Sequence, residues 1–215
     1  MDTPVSPPHD TEAAAPAHRR RQTYTLKLVV LGEGSFLYFG LLWMYWRELP
    51  FRWSDPSRVS FAGAIGIGLL TAAGCAAMAF VLLRVVPERG PVRPLRRLYR
   101  EVLFPLFRGN TALEVAAISV FAGVGEEVLF RGAVQPELGL IVTSLVFGAL
   151  HTAGRATVAL GIYAACMGAL LGWLTIATGG LLAPIVAHMV YDALAISYLR
   201  WGPALPEPGA AGPMA

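Results

Sequence analysis

The sequence predicts an all-α fold, a polytopic membrane helix bundle of about six transmembrane helices, and three observations predict it. Of the 215 residues, 55% are hydrophobic and only 14% are charged, against roughly 25% charged in a soluble domain. The apolar residues gather in runs long enough to cross a bilayer, which takes about 20 residues per helix. The basic residues cluster between those runs, as a membrane topology signal would. Residues 1–22 and 201–215 are rich in Pro, Gly and Ala and are expected to be disordered tails. That leaves one membrane-embedded domain over residues 23–200.

The elements follow in order. Met1 to Gln22 ends in Arg19-Arg20-Arg21 and lacks an apolar core followed by a cleavage site, so it is read as a tail and not a signal peptide. The first span runs from about Leu26 to Trp46 and closes on Trp43, Tyr45 and Trp46, suited to an interfacial belt. Glu33 within it is assigned to the headgroup region. A short polar loop, 47–58, leads to the second span, about Val59 to Val86, crowded with Gly and Ala that permit close helix contact.

Residues 87–110 carry six arginines and can form a basic amphipathic helix on an anionic leaflet, with Leu95, Leu98, Tyr99, Leu103 and Phe104 toward the lipid. Thr111-Ala112-Leu113-Glu114 reads as a capping box opening the third span. Gln135-Pro136-Glu137 is expected to break the chain before the fourth span, about Leu138 to Ala153. The fifth runs from about Ala156 to Ala177. Thr178-Gly179-Gly180 turns the chain into the sixth, about Leu181 to Leu199. Cys75 and Cys166 both lie in apolar runs and read as small core residues, not as a disulfide or metal framework. With the amino terminus in the cytoplasm and six alternating spans, the inside segments hold most of the 17 basic residues: four up to Lys27, seven from Arg84 to Arg108, then Arg155 and Arg200. Both termini are therefore expected to be cytoplasmic.

The chemistry is expected where ionisable groups enter the apolar spans, because charge in hydrocarbon is costly and usually functional. Glu126-Glu127 and Arg131 lie at the far end of the third span, His151 at the end of the fourth, and His188 and Asp192 in the sixth. Glu127 and Arg131 are four apart and share a helix face, so they can form an ion pair; Glu126 sits about 100° round the helix and is left free. His188 and Asp192 are also four apart on one face. Convergence of these groups would make a buried, water-accessible pocket. Glu126 could take a proton from water with His151 positioning it, while His188 and its neighbour stabilise an oxyanion. No serine or cysteine stands beside a plausible base. Two imidazoles and carboxylates also suit zinc, so Glu126, His151, His188 and Asp192 are the candidate ligands of a metal that the residues neither require nor exclude. The sequence HExxH is absent.

Glu126-Glu127-x-x-x-Arg131, Phe147-x-x-x-His151 and His188-x-x-x-Asp192, in that order on successive apolar helices, resemble the three motifs of the CAAX-protease and bacteriocin-processing (CPBP, or Abi) family of intramembrane proteases. The resemblance covers about residues 111–199. It implies a glutamate-dependent intramembrane endopeptidase in which Glu126 and His151 activate water while His188 and Asp192 line the oxyanion site. The family most often has Asn at the last position, so Asp192 departs from its commonest pattern. The resemblance allows CAAX tails, leader peptides, membrane-bound regulators or C-terminal sorting tails as substrates, and implies a bacterial cytoplasmic membrane location. The expected partners are membrane lipids and a membrane-associated protein or peptide. No basic stripe interleaved with aromatics points to nucleic acid. A proton-coupled transporter or channel using the same groups as a relay, and an inert scaffold or immunity-type protein, are the competing readings.

Overall fold

The computed structural model describes residue 27 and residues 31–205, and these are helical with no strand among them. Of the tails expected over 1–22 and 201–215, residues 1–22 and 206–215 lie outside the described residues. Each expected span corresponds to a helix: α1 (31–46), α2 (Phe61–Arg84), α5 (Ala112–Glu127), α6 (Gln135–Leu150), α7 (Val158–Thr178) and α8 (Leu182–Trp201). Two short helices, α3 (Val92–Leu98) and α4 (Phe104–Phe107), fill the basic segment. Three helices are long and apolar enough to cross a membrane among the described residues: Phe61–Arg84, Arg155–Thr178 and Leu182–Trp201. The others are shorter or carry the charged groups of the site.

Helix α8 is the hub, packing on α2, α5 and α7, while α6 packs along α7. Apolar burial drives each contact. Ala64 on α2 meets Leu182 and Ala183 on α8, and Leu171 and Leu174 on α7 meet Ala187 on α8. Helix α1 joins through Met44, packed with Val128, Ala133, Leu181 and Ile185. At one end the 47–58 loop is stitched to the turn before α8: Asp55 donates its N–H to Thr178 O at 3.1 Å, and Leu182 donates to Trp53 O at 2.9 Å. Gly179 makes that turn with φ 70°, a left-handed conformation that glycine adopts without strain. At the opposite end Arg200 Nε donates to Asn110 O at 2.7 Å, and Arg84 bonds Tyr198 and the carbonyl of Pro203.

The capping box is present in full: Glu114 N–H donates to Thr111 Oγ1 while the Glu114 side chain accepts from Thr111 N–H. Four expectations need correction. The chain does not break at Gln135-Pro136-Glu137. A π-helical stretch, Val128–Val134, widens the helix just ahead of Pro136 and Gln135 donates to Phe130 O five residues back, so helix continues past the proline. The break falls at Gly139, with φ 76° and ψ 168°.

The basic segment does not turn its apolar side to lipid. Leu98 and Tyr99 are buried, and Tyr99, Leu103 and Phe104 pack on Tyr198, Leu199 and Leu205. The same packing holds residues as late as Leu205, beyond the expected end of order at Arg200. Cys166 is exposed on the outer side of α7, whereas Cys75 is buried.

Candidate active site

The π-helical stretch aims the site. It follows Glu126 and Glu127 directly and turns Arg131, one helical turn on, back onto the face of Glu127. Both side chains are enclosed, Glu127 at 0% exposure and Arg131 at 2%. Arg131 Nε lies 3.2 Å from Glu127 Oε2, its Nη2 donates to Gly168 O at 3.2 Å, and its guanidinium stacks 4.6 Å from the Phe147 ring centre. Arg131 is therefore an interior residue. A buried ion pair of this kind needs such extra partners to offset desolvation.

The other oxygen of Glu127 fixes a histidine. His188 Nδ1 stands 2.9 Å from Glu127 Oε1. A carboxylate accepts, so Nδ1 carries the proton and donates, which leaves Nε2 directed at Glu126 and Asp192. Nε2 is 3.8 Å from Glu126 Oε2 and 3.6 Å from Asp192 Oδ2. His151 is fixed the same way: its Nδ1 donates to the carbonyl of Phe147 at 2.8 Å, and Nε2 faces Glu126 Oε1 at 4.0 Å. Both imidazoles thus present Nε2 to a single carboxylate, Glu126. The structure brings together Glu126, Glu127, Arg131, His151, His188 and Asp192 from three stretches of sequence.

These groups open on a cavity of about 530 Å³, walled largely by apolar side chains of α2, the α3–α4 segment, α7 and α8. His151 is the best solvated of the group, its side chain 31% exposed. Among the described residues no group of three or more His, Cys, Asp or Glu side chains is placed to hold a metal ion. Glu126, His151, His188 and Asp192 are the side chains that would hold a metal there, their facing atoms 4.0, 3.8 and 3.6 Å apart.

Two features escaped the sequence reading. Glu33 of α1, assigned there to the headgroups, reaches the site. At Gly125 a Cβ would lie 2.5 Å from the Glu33 carbonyl, so the two helices touch backbone to backbone just before Glu126. One Glu33 carboxylate oxygen is buried without a hydrogen-bond partner among the described residues, and the group interacts electrostatically with His188, Asp192 and Glu126. The cost of a carboxylate in an apolar run is the signal that would have found it. The second is a pair of tyrosines, Tyr163 and Tyr191, whose hydroxyls meet at 2.6 Å on the cavity wall.

The family model described as type II CAAX prenyl endopeptidase Rce1-like matches residues 108–194, a segment that contains all three motifs and somewhat under half of the chain. The uncharacterized protein YpbD of Bacillus subtilis (strain 168) is 31% identical over 96 residues, 45% of this chain and 51% of that protein, so the match spans about half of the relative's length. No solved structure matches the chain. The resemblance to the CAAX-protease family drawn from the three motifs therefore holds, and at family level the similarity is to hydrolases. Family similarity and long apolar helices together make this an integral membrane protein.

Proposed function

We propose that the protein is an intramembrane endopeptidase that hydrolyses a peptide bond at or near the membrane with water activated by Glu126 and His151. The observation that carries this reading is the placement of Glu126: a carboxylate on the wall of a large apolar cavity, faced by the Nε2 atoms of His151 at 4.0 Å and His188 at 3.8 Å. At such separations one water can bond Glu126 and His151 together. Glu126 takes a proton from that water as its oxygen attacks the carbonyl carbon. The carbonyl π electrons move onto oxygen, where protonated His188 Nε2 donates to the new negative charge. Glu127, itself held by Arg131, stabilises that imidazolium and fixes its orientation, a role like that of the buried aspartate in a serine-protease triad. Collapse restores the C=O bond, breaks C–N, and passes the proton from Glu126 to the departing amine.

The substrate class is a membrane-associated polypeptide: a CAAX-type tail, leader peptide, regulator or C-terminal sorting tail. An apolar cavity with polar groups at one wall suits a segment presented from the bilayer. The protein is placed as a multi-pass protein of the bacterial cytoplasmic membrane with both termini inside. Reporters fused at Ala15 and Ala210 should both report cytoplasm, and either one reporting the exterior overturns that topology.

The test of function is a comparison of polypeptide termini in membranes containing wild type or Glu126→Gln. A terminus present with wild type and absent with the variant is expected. Identical termini in the two, with both proteins abundant, would refute hydrolysis and favour a relay for protons.

A further inference from the structure

The oxyanion of the proposed step has no neutral donor among His188 and Asp192. Asp192 is a carboxylate, which accepts hydrogen bonds and repels a developing negative charge, so His188 stands alone on that side. On the same face of α8, three residues after His188 and one before Asp192, is Tyr191. Its hydroxyl meets that of Tyr163 on α7 at 2.6 Å, and neither phenol has a second hydrogen-bond partner among the described residues. Both are half-buried, both line the cavity that Glu126, His151, His188 and Asp192 share, and both interact electrostatically with Asp192.

Two hydroxyls bonded to one another use one of their two protons. The other O–H stays uncommitted; when Tyr163 donates to Tyr191, it is the Tyr191 O–H, on the helix that carries His188 and Asp192. Accepting a bond also polarises the Tyr191 O–H and makes it a stronger donor. A pair serving only to join α7 to α8 would leave that proton unspent in an apolar wall, which costs free energy. We propose that Tyr191, held in place by Tyr163, is the neutral hydrogen-bond donor of the oxyanion site. No proton is transferred in this step: the Tyr191 O–H bonds the oxyanion while it exists and returns to the cavity when C=O re-forms.

This inference rests on the proposed hydrolysis, and the experiment separates the two. The probe is a synthetic peptide copying a cut site whose new terminus appears in membranes with wild type and not with Glu126→Gln. Purified wild type, Tyr191→Phe, Tyr163→Phe, Asp192→Asn and the Tyr191→Phe/Asp192→Asn double variant are compared on it, each with its thermal unfolding midpoint. Tyr191→Phe should lose about 10²-fold in kcat with little change in KM, the effect of removing one oxyanion donor. Tyr163→Phe, which keeps Tyr191 but loses its support, should fall by a smaller factor. The double variant should recover part of the loss, because an amide at 192 supplies a new donor beside the vacated position. A kcat for Tyr191→Phe within threefold of wild type overturns the assignment. So does a loss confined to KM or matched by a fall in unfolding midpoint, or one that Asp192→Asn does not relieve. Failure to find any Glu126-dependent cut overturns the functional reading itself, and the tyrosine assignment with it.

Discussion

Around Glu127 the polar atoms are held at close range: Arg131 at 3.2 Å on one oxygen, His188 at 2.9 Å on the other, and no solvent exposure. Around Glu126, one residue earlier on the same helix, the nearest imidazole nitrogens stand at 3.8 and 4.0 Å and a cavity opens beyond. One carboxylate is a brace and its neighbour is left with capacity to spare. The difference shows how a membrane protein can keep a reactive carboxylate in an apolar interior. The packed side fixes His188 and the helix, so that the loose side has only to position a water. Glu126 carries reactivity because Glu127 carries the structure.

The largest effect expected from breaking this comparison is on folding. Arg131→Ala leaves Glu127 as an unpaired charge in a dry interior, which costs about 3–5 kcal/mol. Membrane abundance and unfolding midpoint should both drop sharply, and Glu127→Gln should follow in the same direction. Either variant at wild-type abundance and midpoint would remove the distinction between brace and base.

A smaller effect should come from Gly125→Ala. The added Cβ would meet the Glu33 backbone at 2.5 Å and push α1 away from the site. Overpacking of this kind costs about 1–3 kcal/mol. Unfolding midpoint and turnover should fall together, and no change in either would mean that α1 is not pressed against the site as described.

Asp192→Asn sharpens the comparison on the open side. In a metal-free site an amide at 192 repels an oxyanion less than a carboxylate does. Turnover should stay within about tenfold of wild type, and a chelator should leave the purified wild type unaffected. An inactive variant that has lost stoichiometric zinc would sink this expectation.

The smallest effect lies outside the membrane-spanning segments. Glu88 is held below its ordinary pKa by its hydrogen bond from Arg100, with the charges of Arg96 and Arg93 adding to it. A carboxylate with a depressed folded pKa contributes stability that is present above its ordinary value of 4.5 and is lost as pH falls through the folded value. The pair is close to solvent, so its contribution is about 0.5 kcal/mol or less. The pH dependence of the unfolding midpoint below pH 4.5 should be slightly flatter in Glu88→Gln, and identical profiles would contradict the pairing.

The legible parts of the fold and site were those written in local spacing. The Thr111–Glu114 capping box, the Gly179 turn and the four-residue separations of Glu127 from Arg131 and His188 from Asp192 follow from helix geometry alone. What was missed depends on contacts between distant segments. Glu33 reaches the site because Gly125 lets α1 approach, and Tyr163 meets Tyr191 only once α7 lies beside α8. Pro136 read as a break because proline usually is one; the π-helical stretch before it absorbs the missing donor and moves the break to Gly139. Leu98 and Tyr99 were apolar enough for lipid or protein, and only the position of α8 decided between them.

The central claim is that Glu126 is the base and Glu127 its support, and one measurement tests it most directly. Single-turnover cleavage and thermal unfolding are followed on the same preparations of wild type and Glu126→Gln. A general base contributes about 10²–10⁴-fold, so the account predicts that Glu126→Gln loses at least 10²-fold in cleavage rate while its unfolding midpoint stays at or above that of wild type. Cleavage by Glu126→Gln at a rate near wild type would contradict it.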